Sequence, residues 1–236
     1  MKLYVITLIL MVGGVISAQD LAADLKQVEK AHGADVLKVY QVDYKSFESH
    51  KSEEYLENEK ALYIRKGAYQ FYMENEAVIS VYDHGKTLLI DREEKKMMLL
   101  HQPNIVARPD DLPIDSLLKM CSEVKFISEQ GNKRTYHMMF DMEFFEYQSI
   151  QVTLNTQSWD IKALTLFYNT PMPIYDNGQV VEWTLPRLEV NYTTIPPTAQ
   201  HKNLLAVENY IRTEGSRLLP VKAYQSYELV DHSQTP

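Results

Sequence analysis

The residues able to do chemistry are present but unassembled. Seven histidines lie at positions 32, 50, 84, 101, 137, 201 and 232 of a 236-residue chain. None belongs to an HExxH run or to a pair at metal-ligand spacing, so neither a metal site nor a cofactor is expected. His137 and Asp141 share one face of a strand-like run, as a base and its orienter would, or as two polar residues on a solvent face. No GxSxG elbow accompanies the serines. Asp141, Glu143 and Glu146 could supply the paired carboxylates of glycoside hydrolysis. That chemistry needs a set separation across a sugar cleft, which chain spacing does not provide. Cys121 lies on an apolar stripe, where a free thiol behaves as a small hydrophobe rather than a nucleophile. The N-x-T sequence at Asn191 sits in a strand-like run and matters only in a eukaryotic secretory context. The chain therefore reads as a non-enzyme.

The elements that must position these residues begin with one to be removed. Met1 and Lys2, the apolar run Leu3 to Val12, and Ile16-Ser17-Ala18 have the order of a secretory signal cleaved after Ala18. The run is shorter than the roughly 20 residues of a spanning helix. A domain covering 19–236 remains, with 196–236 as a C-terminal extension. Its single cysteine excludes an intramolecular disulfide. The formal charge of −8, without a basic cluster, argues against nucleic acid. Sixteen tyrosines against seven phenylalanines suit a chain rich in strands, where the ring covers a pleated face.

Leu21, Leu25 and Val28 recur at helical spacing before Gly33, which predicts an amphipathic helix over 19–32. Alternation from Asp35 to Phe47 predicts a strand, and the acidic stretch 49–60 a solvated loop. Four or five short antiparallel strands should follow between Ala61 and His101, broken at Gly67, Glu74 to Glu76, Asp83-His84-Gly85 and Arg92 to Lys95. Pro113 opens a second short helix with Ile114, Leu117, Leu118 and Cys121 on one side. Strands resume at 124–129 and 134–140. Three more are read between Tyr147 and Tyr192, with a bulge or edge at Pro186 and a central strand apolar on both faces over 159–168. The stretch 195–211 is ambiguous between helix and strand, and 221–230 reads as a closing strand.

Large apolar side chains are more numerous than one thin sheet face needs. Leu21, Leu25, Val28, Phe71, Leu88, Ile90, Leu117, Leu118, Met138, Phe140, Val181, Trp183 and Leu185 either fill a core or line a hydrophobic cavity covered by the two helices. Which register of 181–192 faces inward is left open by the alternation.

The order of parts, with DHGKTLLIDREEKKMMLL, SWDIKALTLFYN and VVEWTLPRLEVNYTTIPP as its most specific stretches, resembles the periplasmic lipoprotein-carrier family, LolA-like, with the related receptor LolB. The resemblance covers most of 19–195. It implies a mainly β (α+β) fold, a single antiparallel, strongly curved sheet forming an unclosed β-barrel with amphipathic helices as a lid. It further implies a monomeric periplasmic carrier that binds lipoprotein acyl chains or another lipid and meets transport proteins of the inner and outer membranes. Arg65 is the match here to an early-strand arginine that serves the family's lid. The alternatives are a secreted or periplasmic interaction module of the same fold and, third, an envelope glycan hydrolase.

Overall fold

The computed structural model of the protein describes residues 20–33, 35–101, 118–141, 145–215 and 217–232. Helix α1 occupies 20–33, matching the sequence periodicity. Strands follow as β1 (Leu37–Phe47), β2 (Glu57–Lys66), β3 (Gln70–Glu74), β4 (Val78–Asp83), β5 (Lys86–Asp91), β6 (Lys96–His101), β7 (Cys121–Gln130), β8 (Lys133–Phe140), β9 (Tyr147–Asn155), β10 (Ile161–Tyr168), β11 (Met172–Asp176), β12 (Gln179–Thr184) and β13 (Arg187–Thr194). The chain continues through α2 (Ala199–Asn203), a 3-10 turn at Val207–Asn209, β14 (Ile211–Glu214), β15 (Arg217–Pro220), a 3-10 turn at Lys222–Tyr224 and β16 (Glu228–Asp231). The fold is mainly β. No helix among the described residues is long and apolar enough to cross a membrane.

Twelve strands share one sheet in the order β16-β6-β5-β4-β3-β2-β1-β13-β10-β9-β8-β7. Its end strands β16 and β7 do not pair with each other, so the sheet is open rather than a closed barrel. The one parallel pairing among the described registers is β16 on β6. Two-residue hairpins connect β4 to β5 through His84-Gly85 and β11 to β12 through Asn177-Gly178. All four residues have positive φ, the geometry of the turn whose twist matches its strands.

Several expectations are corrected. Cys121 opens β7 instead of lying in the expected helix; of that helix the described residues 118–120 are helical, and positions 113–117 lie outside the described residues. β12 does not continue the sheet to which β10 and β13 belong, but pairs with β11, a strand the proline-rich sequence Met172–Asp176 concealed. The closing strand predicted over 221–230 is only Glu228–Asp231, because Lys222–Tyr224 turns as a 3-10 helix.

The chain divides into two compact units. Among the described residues the first comprises 20–31, 43–58, 118–141 and 145–192, and the second comprises 32–33, 35–42, 59–101, 193–215 and 217–232. Each has its own apolar core.

Candidate functional site

In the first unit the register aligns apolar residues in two rows across five strands. One runs Val124, Met138, Ile150, Leu166, Leu188, and the other Phe126, Tyr136, Val152, Leu164, Val190. Both lie on one face, because cross-strand partners share a side and neighbours along each strand alternate. Leu21, Leu25 and Val28 of α1 pack in one cluster with Val124, Tyr136, Met138, Phe140, Ile150, Val152 and Leu154, all buried. Beyond that cluster the cover thins. Leu164 and Leu166 are packed against it but only half-buried, and so is Leu188. At the opposite end of its row Phe126 is 44% exposed, its ring edge-on to Tyr136 at 5.8 Å.

A buried polar clamp joins α1 to this face. Arg134 Nη1 donates to Asp24 Oδ1 at 3.0 Å and Oδ2 at 2.8 Å, Tyr136 Oη donates to Asp24 Oδ2 at 2.7 Å, and Arg134 Nη2 reaches Glu129 at 3.1 Å. Hydrogen bonding to Asp24, then to Glu129, raises the Arg134 pKa, while burial first and the Asp24 carboxylate second raise that of Tyr136. Sequence reasoning missed all three residues, although the signal was present. Asp24 is a lone carboxylate on the Leu21-Leu25-Val28 stripe, and Arg134 is a lone cation in step with Tyr136, Met138 and Phe140. Opposite charges on two apolar stripes point at each other, because neither can be buried unpaired.

The second unit treats its apolar face differently. Ile64, Tyr72, Val81, Leu88 and Leu99 form one transverse row, and Ile79, Ile90 and Met97 another. The chain's own C-terminal segment packs on them through Leu205, Val207, Tyr210 and Ile211, backed by Leu218, Tyr224, Tyr227 and Leu229. Val207 N–H donates to Asp83 Oδ2 at 3.3 Å, and Asp83 Oδ1 accepts from Gln70 at 2.9 Å and pairs with His84 at 2.6 Å. Burial pushes the Asp83 carboxyl up, but the bonds from His84, Gln70 and Val207 outweigh it and hold the pKa below the usual range. An open groove of about 400 Å³ in this unit is lined by Lys60, Glu74, Glu76 and Arg92 together with Ala61, Leu62 and Ile195. Arg92 is already committed to Glu74 and to the carbonyls of Asn75 and Glu76.

The residues proposed from sequence thus fall into separate places. Leu21, Leu25, Val28, Met138 and Phe140 meet in the first core, with Leu118 packed against it, while Leu117 lies outside the described residues. Leu88 and Ile90 are sealed in the second core, and Phe71 is half-buried, stacked on Tyr82 at 5.4 Å. Arg65 is buried, donating to Gly67 O at 3.0 Å and meeting His32 Nδ1 at 3.4 Å. Val181 and Trp183, expected to face inward, stand exposed on the β11–β12 ribbon, with Leu185 half-buried at its base, because proline at 171, 173 and 186 diverts this segment out of the large sheet.

The titratable candidates do not converge either. His137 packs on the Phe167 ring at 5.9 Å, and burial, then Lys125, lower its pKa. Asp141 and Glu146 are exposed, and Glu143 lies outside the described residues. Burial raises the Cys121 thiol to about 11, the opposite of an activated nucleophile. Among the described residues no group of three His, Cys, Asp or Glu could hold a metal ion.

No protein-family model matches the chain, and no curated protein does. Solved structures are similar to it. An uncharacterised conserved protein from Thermus thermophilus is 11% identical, with 90% of this chain and 99% of that one covered at a TM-score of 0.46. A LolA superfamily protein from Nitrosomonas europaea is 7% identical, covering 72% and 90% at a TM-score of 0.30. A putative outer membrane lipoprotein-sorting protein domain from Vibrio parahaemolyticus is 8% identical, covering 80% and 99% at a TM-score of 0.31.

Proposed function

We propose that the protein is an exported, non-enzymatic carrier that binds acyl chains of lipoproteins or another lipid on the apolar face of its first unit, under α1. The observation that carries this reading is the incomplete cover of that face among the described residues: Leu164, Leu166 and Leu188 continue the buried rows yet are only partly buried. A core meant only to stabilise would bury them, since apolar residues in register with a core gain by leaving water. An acyl chain laid along them gains about 0.8 kcal/mol per buried methylene and needs no catalytic group. The resemblance of the sequence to the LolA-like carriers points the same way, and with it to a periplasmic site of action after removal of residues 1–18. In this reading α1 is the cover that moves, held by Leu21, Leu25 and Val28 and by the Asp24 clamp. The described part of the C-terminal extension closes the second unit through Leu205, Val207, Tyr210 and Ile211 and takes no part in binding.

The test is titration of the protein with a fluorescent fatty acid. Saturable binding is expected, weakened about tenfold or more in a Leu164→Gln/Leu166→Gln double variant, which places amides where methylenes should pack. Absence of saturable binding by the unaltered protein would overturn the proposal.

A further inference from the structure

Four of the exposed large apolar side chains are concentrated on one small feature, the β11–β12 ribbon: Trp183 at 63%, Val181 at 60%, Met172 at 55% and Val180 at 45% exposure. The ribbon stands apart from the twelve-stranded sheet, its two strands paired only with each other. Its two strands bond to each other along their inner edges, while the backbone groups of their outer edges point away from that pairing.

Two properties identify what it meets. Met172 pairs with Thr184 and Pro173 with Trp183, so Met172 and Trp183, in successive pairs, stand on opposite faces. A protein partner covers one face of a ribbon. Exposed apolar groups on both faces are matched by a medium that surrounds it. The segment 169–186 also contains no lysine or arginine, while Asp176 and Glu182 make it acidic. Attraction to anionic headgroups is therefore excluded as the driving force, which leaves the interfacial layer of a neutral or zwitterionic bilayer, where tryptophan is at home.

The ribbon is also the continuation of the strands that carry the half-open leucines. β10 leads into it and β13 leaves it, Leu164 and Leu166 facing Val190 and Leu188 across that pair, and Tyr168 N–H bonds to Pro186 O at its base. We infer that the β11–β12 ribbon is a membrane-docking element that immerses Trp183, Val181 and Met172 in the interface of a zwitterionic lipid surface, placing the open end of the β10–β13 stripe beside the lipid it exchanges. The exchange part of this inference rests on the carrier reading; the docking part does not.

The experiment is flotation of the purified protein with phosphatidylcholine vesicles, alongside a Val181→Ser/Trp183→Ser double variant. Both positions are exposed, so the variant should fold, and unchanged fatty-acid-probe binding in the absence of vesicles serves as its control. The unaltered protein is expected to float, to show quenching of tryptophan fluorescence by brominated phosphatidylcholine, and to lose about tenfold or more of its partitioning in the variant. Salt should leave the unaltered protein's binding unchanged, and added phosphatidylglycerol should leave it unchanged or weaken it. Failure of the protein to float, equal flotation of the variant, or binding that requires anionic lipid and disappears in salt would each overturn docking by the ribbon. Probe binding without flotation would remove the ribbon inference and leave the carrier reading intact. Flotation without probe binding would do the reverse.

Discussion

The two units carry equivalent apolar faces and close them by different means. In the second, the C-terminal segment lays Leu205, Val207, Tyr210 and Ile211 onto strands β2–β6 and fastens the join with the Val207–Asp83 bond and the β16–β6 ladder. In the first, among the described residues, α1 packs on the centre of the face with three apolar residues and one polar clamp, Leu118, Met120, Cys121, Phe145, Tyr147 and Trp159 lie against the same cluster, and Leu164, Leu166 and Leu188 are only partly buried. A face closed by a long stretch of chain is core; in the proposed carrier the first face is a surface that changes partners.

The sharpest way to break this contrast is to truncate the cover of the second unit. Leu205→Ala should cost about 2–5 kcal/mol in chemical denaturation, as for other fully buried leucines. A loss under about 1 kcal/mol would mean that the C-terminal segment is not core. Next in size is Asp24→Ala, which strands Tyr136 Oη and Arg134. Because Arg134 is partly open to water, the expected loss is about 1–3 kcal/mol, with faster amide hydrogen exchange confined to α1. If exchange quickened equally in β2–β6, the clamp would not be specific to the first unit's cover.

Acid should separate the two covers. The folded pKa of Asp83 is depressed, so the unfolded chain binds the proton more tightly. Its stabilising contribution is therefore complete well above the unfolded value of about 3.9 and is lost as pH falls through that value toward the folded one. Asp83→Asn should flatten this acid-side slope in urea titrations from pH 6 to 3, and an unchanged slope would show that Asp83 is not the group responsible. The smallest stability effect is expected from Leu164→Gln, about 1 kcal/mol because the side chain is only partly buried, together with the largest effect on fatty-acid binding. A Leu164→Gln protein strongly destabilised yet still binding the probe would make this stripe core.

Much of the architecture was legible in sequence because it rests on local periodicity. The helix over 19–32, the strands of 35–47, 61–101 and 134–155, and the β10 strand follow from spacings of 3.6 and 2 that a chain cannot present without burying the matching face. The candidate site was legible only in its residue types. Leu88 and Met138 look alike in sequence and lie in different cores. Val181 and Trp183 alternate as inward residues should, yet face solvent, because alternation states that a strand has two faces and not what covers either one. The Asp24–Arg134 clamp could have been anticipated from lone charges on two apolar stripes, but its pairing joins residues 110 positions apart.

By itself, then, the sequence determined the kind of protein: mainly β, with a helix bearing one apolar stripe and with a stretch whose order of strands resembles the LolA-like carriers. Only the tertiary structure decided that the apolar residues divide into two cores, which cover seals each, where a flank is left half-open, and that Trp183 faces outward. The physical reason is that secondary structure is set by near neighbours, whereas cover is set by segments far along the chain that compete for the same apolar surface.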